Sequence, residues 1–456
     1  MEIIYRVKRQ WEKLDASWRF AIAAFLIARI FYTVWSWVIL TIQPVAVHYI
    51  QVDNNPGAIF LILQTSQAYG YICDVNGEKL SFRSASKDTV TDLQTGSVWD
   101  IHTGTALEGH YQGTVLSPAA IPADMFPYHD TKPYSNAWLA LWQRFDANWY
   151  ISIAEHGYGA TQGDFVFPPL FPLLIHLLKP FFGYAFLAGL FISNIATLFT
   201  LKLLYDLFVQ WGDHESAYWA LMLFLLYPTS FFMFSVYAES LFLVLALLAM
   251  HSMKTHQWHW AGFWVFCAIL ARLQGIALLL PFIYLIWKDQ PFLRNLQHWA
   301  GSIFAGSGFL FYLYLRFADN QNGIVFSELM WHSHFVFPWE SYAYAIRLIF
   351  TRQVNYIDIL NLTITTLFII LLVLGWQKIP LEYSLYSIAS LFVMLARLVE
   401  TKPLNAMLRY TLTIFPMFYI LGLAKDNPWK RRIIIYSFIA LNLFLSQEFF
   451  GWGWVA

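Results

Sequence analysis

The stretch "YAFLAGLFISNIATLFTLKLLYDLFV", residues 184–209, is apolar along almost all of its length. A helix crossing a bilayer core needs roughly 20 such residues. Read this way, the segment makes lipid the solvent for this part of the chain, and the rest of the sequence agrees. Of 456 residues, 58% are hydrophobic, 19% aromatic and 12% charged, with a mean hydropathy of +0.50. An ordinary soluble domain carries about 25% charged residues.

Further apolar segments lie near 17–42, 216–233, 235–253, 259–271, 275–287, 297–317, 357–377, 381–397, 409–424 and 431–450. Together they predict about eleven crossings and an all-α polytopic membrane protein. The pair 259–287 reads either as one helix broken near Arg272 or as two short ones. Orientation follows from Lys and Arg in the short loops. The N-terminal "MEIIYRVKRQWEKLDASWR" holds five basic residues, so residues 1–16 are expected in the cytoplasm and 17–43 as the first span. Alternation then puts Lys254, Lys288–Arg294, Lys378 and "KDNPWKRR" inside as well. Three loops are expected outside, 43–183, 318–356 and 398–408, around a bundle over 184–456.

The first outer loop divides by composition. Polar residues 48–135 carry the turn signals "DNNPG", "VNGEK" and "LQTGS" between β-rich runs, which predicts a small extracytoplasmic β-rich insert over 44–136. Residues 137–183 are expected to lie at the interface. Within them 137–158 read as one amphipathic helix, and the Pro-broken "FPPLFPLLIHLLKPFFG", 167–183, as interfacial or re-entrant.

Net charge is zero, with 28 basic and 28 acidic residues, so charge selects no partner. No basic run or motif points to nucleic acid. A disulfide between Cys73 and Cys267 is not expected, because Cys267 lies in an apolar run. The N-terminal apolar stretch is too long for a cleavable signal and lacks a small-residue cleavage site.

Certain polar residues stand out against this background. In "RFDANWYISIAEHGY", 144–158, Trp138, Trp142, Phe145, Trp149 and Ile153 form one stripe of a helical wheel. Arg144, Asn148 and Glu155 group on the far side. Asp146 sits about 40° from Trp142, on the rim of the stripe. A carboxylate there is costly unless a cavity or partner receives it. It is either a catalytic or ligand-facing group, or a local helix-terminus or Asp–Arg contact. Glu155 lies opposite and also reads as a solvated residue. Glu239, at the mouth of two consecutive helices, is either functional or an N-terminal carboxylate stabilised by the helix dipole. Arg272 and Gln274 interrupt "AILARLQGIALLLP", the pattern of a broken helix lining a cavity. Arg397, Lys402 and Arg409 fall in a short outer loop, where positive charge needs a reason: a phosphate or lipid headgroups. His332 and His334 in "WHSHF" lack the matching ligands of a metal site, and no metal is expected.

An outer carboxylate, outer cations and an apolar interior suit chemistry on a lipid-linked phosphate, with a general base at the acceptor hydroxyl and cations on the leaving group. A transporter or flippase of lipid-linked sugars would instead show internal repeats and mid-membrane charges, and no repeat is visible. A non-catalytic scaffold would leave the four charges Asp146, Glu239, Arg272 and Arg409 unexplained together.

"RFDANWYISIAEHGY" followed by "FVFPPLFPLLIHLL", then "YPTSFFMFSVYAESLFL", "ARLQG" and "LRYTLTIFPMF", resembles in order the GPI mannosyltransferase 2 (PIG-V) family and its prokaryotic relatives, over about 137–425. The resemblance implies a GT-C fold glycosyltransferase that moves a sugar, usually mannose, with inversion. The donor would be a polyprenyl- or dolichyl-phosphate sugar and the acceptor an unidentified glycan, lipid or protein. The reaction would run on the extracytoplasmic side of the bilayer, the cell membrane in a prokaryote, without a metal or other cofactor. It implies Asp146 as the base, with Glu239 and Arg272 lining the pocket and Arg409 near the donor phosphate. Arg144, Tyr150, Glu155, Tyr237, Gln274, Lys402 and Tyr410 complete the candidate substrate-binding set. Phe145 stands where the family often has Trp, and the insert has no counterpart in the resemblance.

Overall fold

The computed structural model describes residues 11–122, 133–161, 163–289, 296–318, 332–351 and 354–455. Residues 1–10, much of the loop 318–356 and the basic loop up to Arg294 therefore lie outside the described residues. So do 123–132 at the end of the expected insert. The chain is a multi-pass membrane protein by its helices. Among the described residues, four are long and apolar enough to cross a bilayer: Ala16–Ile42, Ala185–Trp211, Tyr356–Gly375 and Pro428–Phe450. A fifth span arises if Met407–Thr413 and Pro416–Asp426, bent by 87°, count as one.

Shorter apolar helices occupy other expected spans, at Trp258–Ala271, Leu273–Lys288 and Leu381–Leu395. The pair 259–287 is broken at Arg272, whose backbone is extended (φ −155°, ψ 142°) between the helix Trp258–Ala271 and a 3-10 turn over Leu273–Leu278. The segment 216–233 likewise ends early. The helix His214–Leu226 stops at Tyr227, before Pro228. The residue ahead of a proline is driven out of the α region, which is the physical reason for the stop. An irregular stretch then leads to the helix Glu239–Lys254. Leu170–Phe182, at 13 residues, is about 20 Å long and short of a span.

The expectation of one straight helix over 137–158 is corrected. Ala137–Ala140 and Asp146–His156 are separate helices, and Phe145 between them adopts a left-handed φ of 47°. The wheel is therefore broken, and Arg144 and Asn148 are fully buried rather than on a solvated side.

Contacts divide the chain into two compact units. One comprises Met1–Arg29, Tyr150–Leu445 and Val455–Ala456, and holds most of the helices. The other comprises Ile30–Trp149 and Ser446–Trp454. The second holds nine short strands between Val45 and Glu108. β1 (Val45–Val52), β2 (Asn55–Ile62) and β3 (Gln67–Ile72) form an antiparallel sheet in that order. Asp53 and Asn54 turn β1 into β2 with φ of 49° and 67°, the primed turn that matches strand twist. Asn76 and Gly77 (φ 56° and 82°) do the same between β4 (Asp74–Val75) and β5 (Glu78–Lys79). A four-stranded sheet follows, β6 (Phe82–Ser84), β7 (Thr89–Asp92), β8 (Val98–Asp100) and β9 (Ala106–Glu108). Phe60, Tyr71, Phe82, Val90 and Trp99 pack as its shared core. Asp92 accepts hydrogen bonds within that core from Trp99 Nε1 (2.9 Å) and from Thr95 N (2.6 Å). Cys73 and Cys267 are both free.

Candidate active site

In the helical unit, three breaks in apolar helices deliver charge to one place. Glu239 begins the helix Glu239–Lys254, Arg272 sits in the extended break, and Arg409 lies on the short helix Met407–Tyr410. All three are buried, at 0%, 7% and 5% exposure. Arg272 Nη1 contacts Glu239 Oε1, and Arg409 Nε approaches the same oxygen at 3.4 Å. Gln274 Oε1 accepts from Arg272 Nε at 2.7 Å, which orients that guanidinium. Aromatic faces supply the remaining lining. The Arg409 guanidinium stands 5.3 Å from the ring centres of Phe232, Tyr237 and Tyr410, and Arg272 stands 5.4 Å from Tyr410.

Two guanidiniums meet at one buried carboxylate. Burying a charge is expensive unless something of opposite sign receives it. Glu239 Oε2 is also buried with no hydrogen-bond partner among the described residues. Such an atom asks for a donor. The arrangement fits an anion at the arginines with a hydroxyl at Glu239.

The backbone that carries these residues is held by polar side chains inside otherwise apolar helices. Ser193 Oγ donates to Tyr237 O (3.0 Å), Thr197 Oγ1 to Met233 O (2.6 Å), and Arg29 Nη1 to Phe234 O (3.4 Å). These bonds occupy carbonyls at the end of the 3-10 helix Ser230–Phe234 and in the short link from it to Glu239, beyond the reach of the α-helical ladder that starts there. Around Arg409, Asn361 Oδ1 accepts from Leu408 N (2.9 Å), and Thr229 Oγ1 donates to Leu408 O (2.8 Å). Tyr386 OH donates to Thr413 O (2.9 Å). Asn442 Nδ2 donates to Tyr227 O (2.7 Å). None of these positioning residues was singled out from the sequence. A lone Asn inside an apolar helix is the signal that could have found Asn361 and Asn442, since a polar group there needs a partner.

The structure thus brings Tyr237, Glu239, Arg272, Gln274, Arg409 and Tyr410 together. It gives another of the outer cations, Arg397, a different partner. Arg397 Nε donates to Ser333 Oγ (2.7 Å) on a two-stranded pairing of Ser333–Phe335 with Arg397–Val399. Burial lowers the Lys402 ammonium below an ordinary lysine, and Asp358 nearby opposes the shift. His334 pairs with Glu400 (2.9 Å). Glu155 is exposed and pairs with Lys179 (3.1 Å). Tyr150 is buried against the rings of Phe167 and Phe171, at 5.4 and 5.0 Å. Asp164, not singled out from the sequence, is buried and caps its own loop by accepting from Gly159 N (2.7 Å). A cavity of about 600 Å3 lies at the other end of Glu239–Lys254. Its lysines are paired with carboxylates, Lys202 with Asp206 (2.5 Å) and Lys254 with Glu382 (2.7 Å).

In the other unit, Asp146 is half-buried as the first residue of Asp146–His156. Its neighbour Arg144 is turned onto backbone. Nε donates to Phe450 O (3.1 Å), and Nη1 donates to Ala140 O (2.8 Å) and Gln143 O (3.2 Å). Burial pulls its pKa down to about 9. Gln143 Nε2 donates to Asn148 Oδ1 (2.9 Å) across the same turn.

A family model described as Mannosyltransferase (PIG-V) matches residues 109–287, which include Asp146, Glu239, Arg272 and Gln274. Over these residues the chain is PIG-V-like. GPI alpha-1,6-mannosyltransferase 2 of Homo sapiens is 36% identical over 122 residues, 24% of this chain and 24% of that protein. The Cricetulus griseus protein of the same name is 34% identical over the same span length. The chain thus matches about a quarter of the length of these curated relatives. No solved structure matches it. Lys402, Arg409 and Tyr410 lie outside the PIG-V-like region, and for Arg409 and Tyr410 it is the contacts with Glu239 and Arg272 that tie them to it.

Proposed function

We propose that this chain is a GT-C type membrane mannosyltransferase that takes its sugar from a polyprenyl- or dolichyl-phosphate donor on the extracytoplasmic side, with inversion. The observation that carries the reading is the buried Glu239–Arg272–Arg409 group. Its two guanidiniums and apolar surroundings suit a phosphate that arrives on a lipid. Arg272 and Arg409 hold the donor phosphate and stabilise the charge that grows on it as it leaves. Glu239 keeps the two guanidiniums aimed, and its Oε2 accepts from a sugar hydroxyl. Lys402, a cation on the same chain segment as Arg409, adds attraction for the headgroup.

The acceptor hydroxyl oxygen attacks the anomeric carbon as the carbon–oxygen bond to phosphate breaks. Asp146 takes the hydroxyl proton, so the products are the glycoside and the lipid phosphate. The family match, which covers Asp146 but only part of the chain, supports this assignment.

The test is transfer of radiolabel from polyprenyl-phosphate-mannose in membranes carrying the wild-type chain or its variants. Asp146→Asn should lower turnover at least 100-fold with donor binding retained, the scale of a lost general base. Arg409→Ala should weaken donor binding instead. Wild-type turnover in Asp146→Asn would remove Asp146 from the reaction.

A further inference from the structure

The turn that introduces Asp146 is strained. Phe145 has φ 47°, a region that bulky residues avoid because Cβ meets the following carbonyl. Such a conformation persists only where the surroundings over-determine it. Here the surroundings are the segment 446–454 at the other end of the chain. The Phe145 ring lies 5.2 Å from both Trp452 and Trp454 and 6.2 Å from Phe449, centre to centre. The residue before it is tied to the same segment, through Arg144 Nε on Phe450 O (3.1 Å) and the guanidinium 4.8 Å from the Trp452 ring centre.

The segment is itself anchored. His48 Nε2 lies 2.9 Å from Gly451 O, Gln447 Nε2 donates to Gln43 Oε1 (3.0 Å), and Gly453 N donates to Glu448 O (2.6 Å). Trp452 also has a left-handed backbone, φ 63°. Two strained aromatic residues facing each other, each braced by hydrogen bonds on either side, constitute a built device. Random packing of a tail would give neither.

We infer that Trp452 and Trp454 are positioning residues. They clamp Phe145 in its left-handed conformation and thereby set where the helix Asp146–His156 begins and where the Asp146 carboxylate stands. The inference rests on the assignment of Asp146 as the base. Relaxation of Phe145 to an ordinary φ would displace Asp146, and a displacement of about 1 Å can cost on the order of 100-fold in rate.

The test is a double-mutant cycle on the full-length purified chain. One axis is the pair Trp452→Ala and Trp454→Ala together, and the other is Phe145→Gly, which adopts positive φ freely. With Phe145 present, removing both tryptophans should lower kcat on the order of tenfold or more, with the KM for the donor unchanged. In the Phe145→Gly background the same removal should cost less than about threefold, because no strained residue is left to hold. Equal losses in both backgrounds would overturn the clamp. The conservative pair Trp452→Phe and Trp454→Phe should recover most of the lost rate, and failure to recover it in a folded protein would also count against it. The cycle is repeated on urea-unfolding midpoints, where coupling between the two axes is expected and additivity overturns the inference. That readout does not involve Asp146. A coupled stability cycle beside an active Asp146→Asn would therefore retain the clamp on Phe145 and reject the base.

Discussion

Arg144 and the pair Arg272–Arg409 are three buried arginines with different kinds of partner. Arg144 gives its donors to the carbonyls of Phe450, Ala140 and Gln143. These bonds close a turn of the fold. Arg272 and Arg409 share a single carboxylate and lean on aromatic faces. Carbonyl dipoles satisfy a guanidinium's hydrogen bonds without changing the charge balance. A carboxylate shared by two guanidiniums sets two charged donors side by side, an arrangement that suits an anion. Burial alone therefore does not mark a binding residue. What marks it is how the charge is balanced.

The comparison is most exposed at Glu239. Glu239→Gln removes the carboxylate that two buried guanidiniums share, and breaking a buried pair costs about 3–5 kcal/mol. A large drop in the unfolding midpoint is expected, recovered in part by added inorganic phosphate. A midpoint unmoved by the substitution would show that the arginines are compensated elsewhere.

Swapping the arginines separates the two uses. Arg144→Ala strips hydrogen bonds from buried carbonyls, each worth about 1.5–3 kcal/mol where the donor is charged, so the expected loss is in stability. Arg409→Ala leaves a neutral Glu239–Arg272 pair, so the fold should hold while the Kd for polyprenyl-phosphate-mannose rises on the order of 100-fold, about 2.7 kcal/mol. Isothermal titration beside urea unfolding reads both. If Arg144→Ala lost donor affinity with its stability intact, the two classes would merge.

The β-rich insert offers a smaller effect with a definite sign. Burial raises the Asp92 carboxyl, but hydrogen bonds from Trp99, Thr95 and Gly96 outweigh it and hold the group below its ordinary 3.8. A carboxylate lowered in the fold stabilises fully above the unfolded value, and that contribution is lost as pH falls through the lowered one. Acidification below about pH 3.8 should therefore loosen the insert, read by Trp99 fluorescence. Asp92→Ala should remove that acid limb and cost about 1–3 kcal/mol by stranding the indole N–H.

Lys402 should give the smallest change. Burial lowers its pKa, so its charge disappears at a lower pH than that of an exposed lysine. Donor affinity should weaken on the alkaline side, and Lys402→Arg should move that limb upward by a few-fold in affinity, since arginine stays charged. An unchanged limb would place Lys402 outside the donor's reach.

Much of the fold was legible in composition and apolar run length. Helices stand in the places the runs predicted, and the turns at Asp53–Asn54 and Asn76–Gly77 carry the residues that tolerate positive φ. The break at Arg272 was legible too, as polar residues inside an apolar run. The straight helix over 137–158 was not readable correctly, because a helical wheel assumes unbroken φ and ψ. Nothing local to Phe145 announces its left-handed turn. Its reasons are Trp452 and Trp454, about three hundred positions away in the chain.

The same limit applies to the candidate site. The sequence by itself determined that lipid is the solvent, that a β-rich insert interrupts the helices, and that Glu239 and Arg272 are out of place in apolar surroundings, since transfer free energies are properties of residue types, while Arg409 read as a cation of a short outer loop. Only the tertiary structure decided that these three share one place, that Arg397 turns to Ser333, and that Arg144 donates to the backbone. Pairing depends on distances between residues remote in sequence, and three helix breaks set those distances.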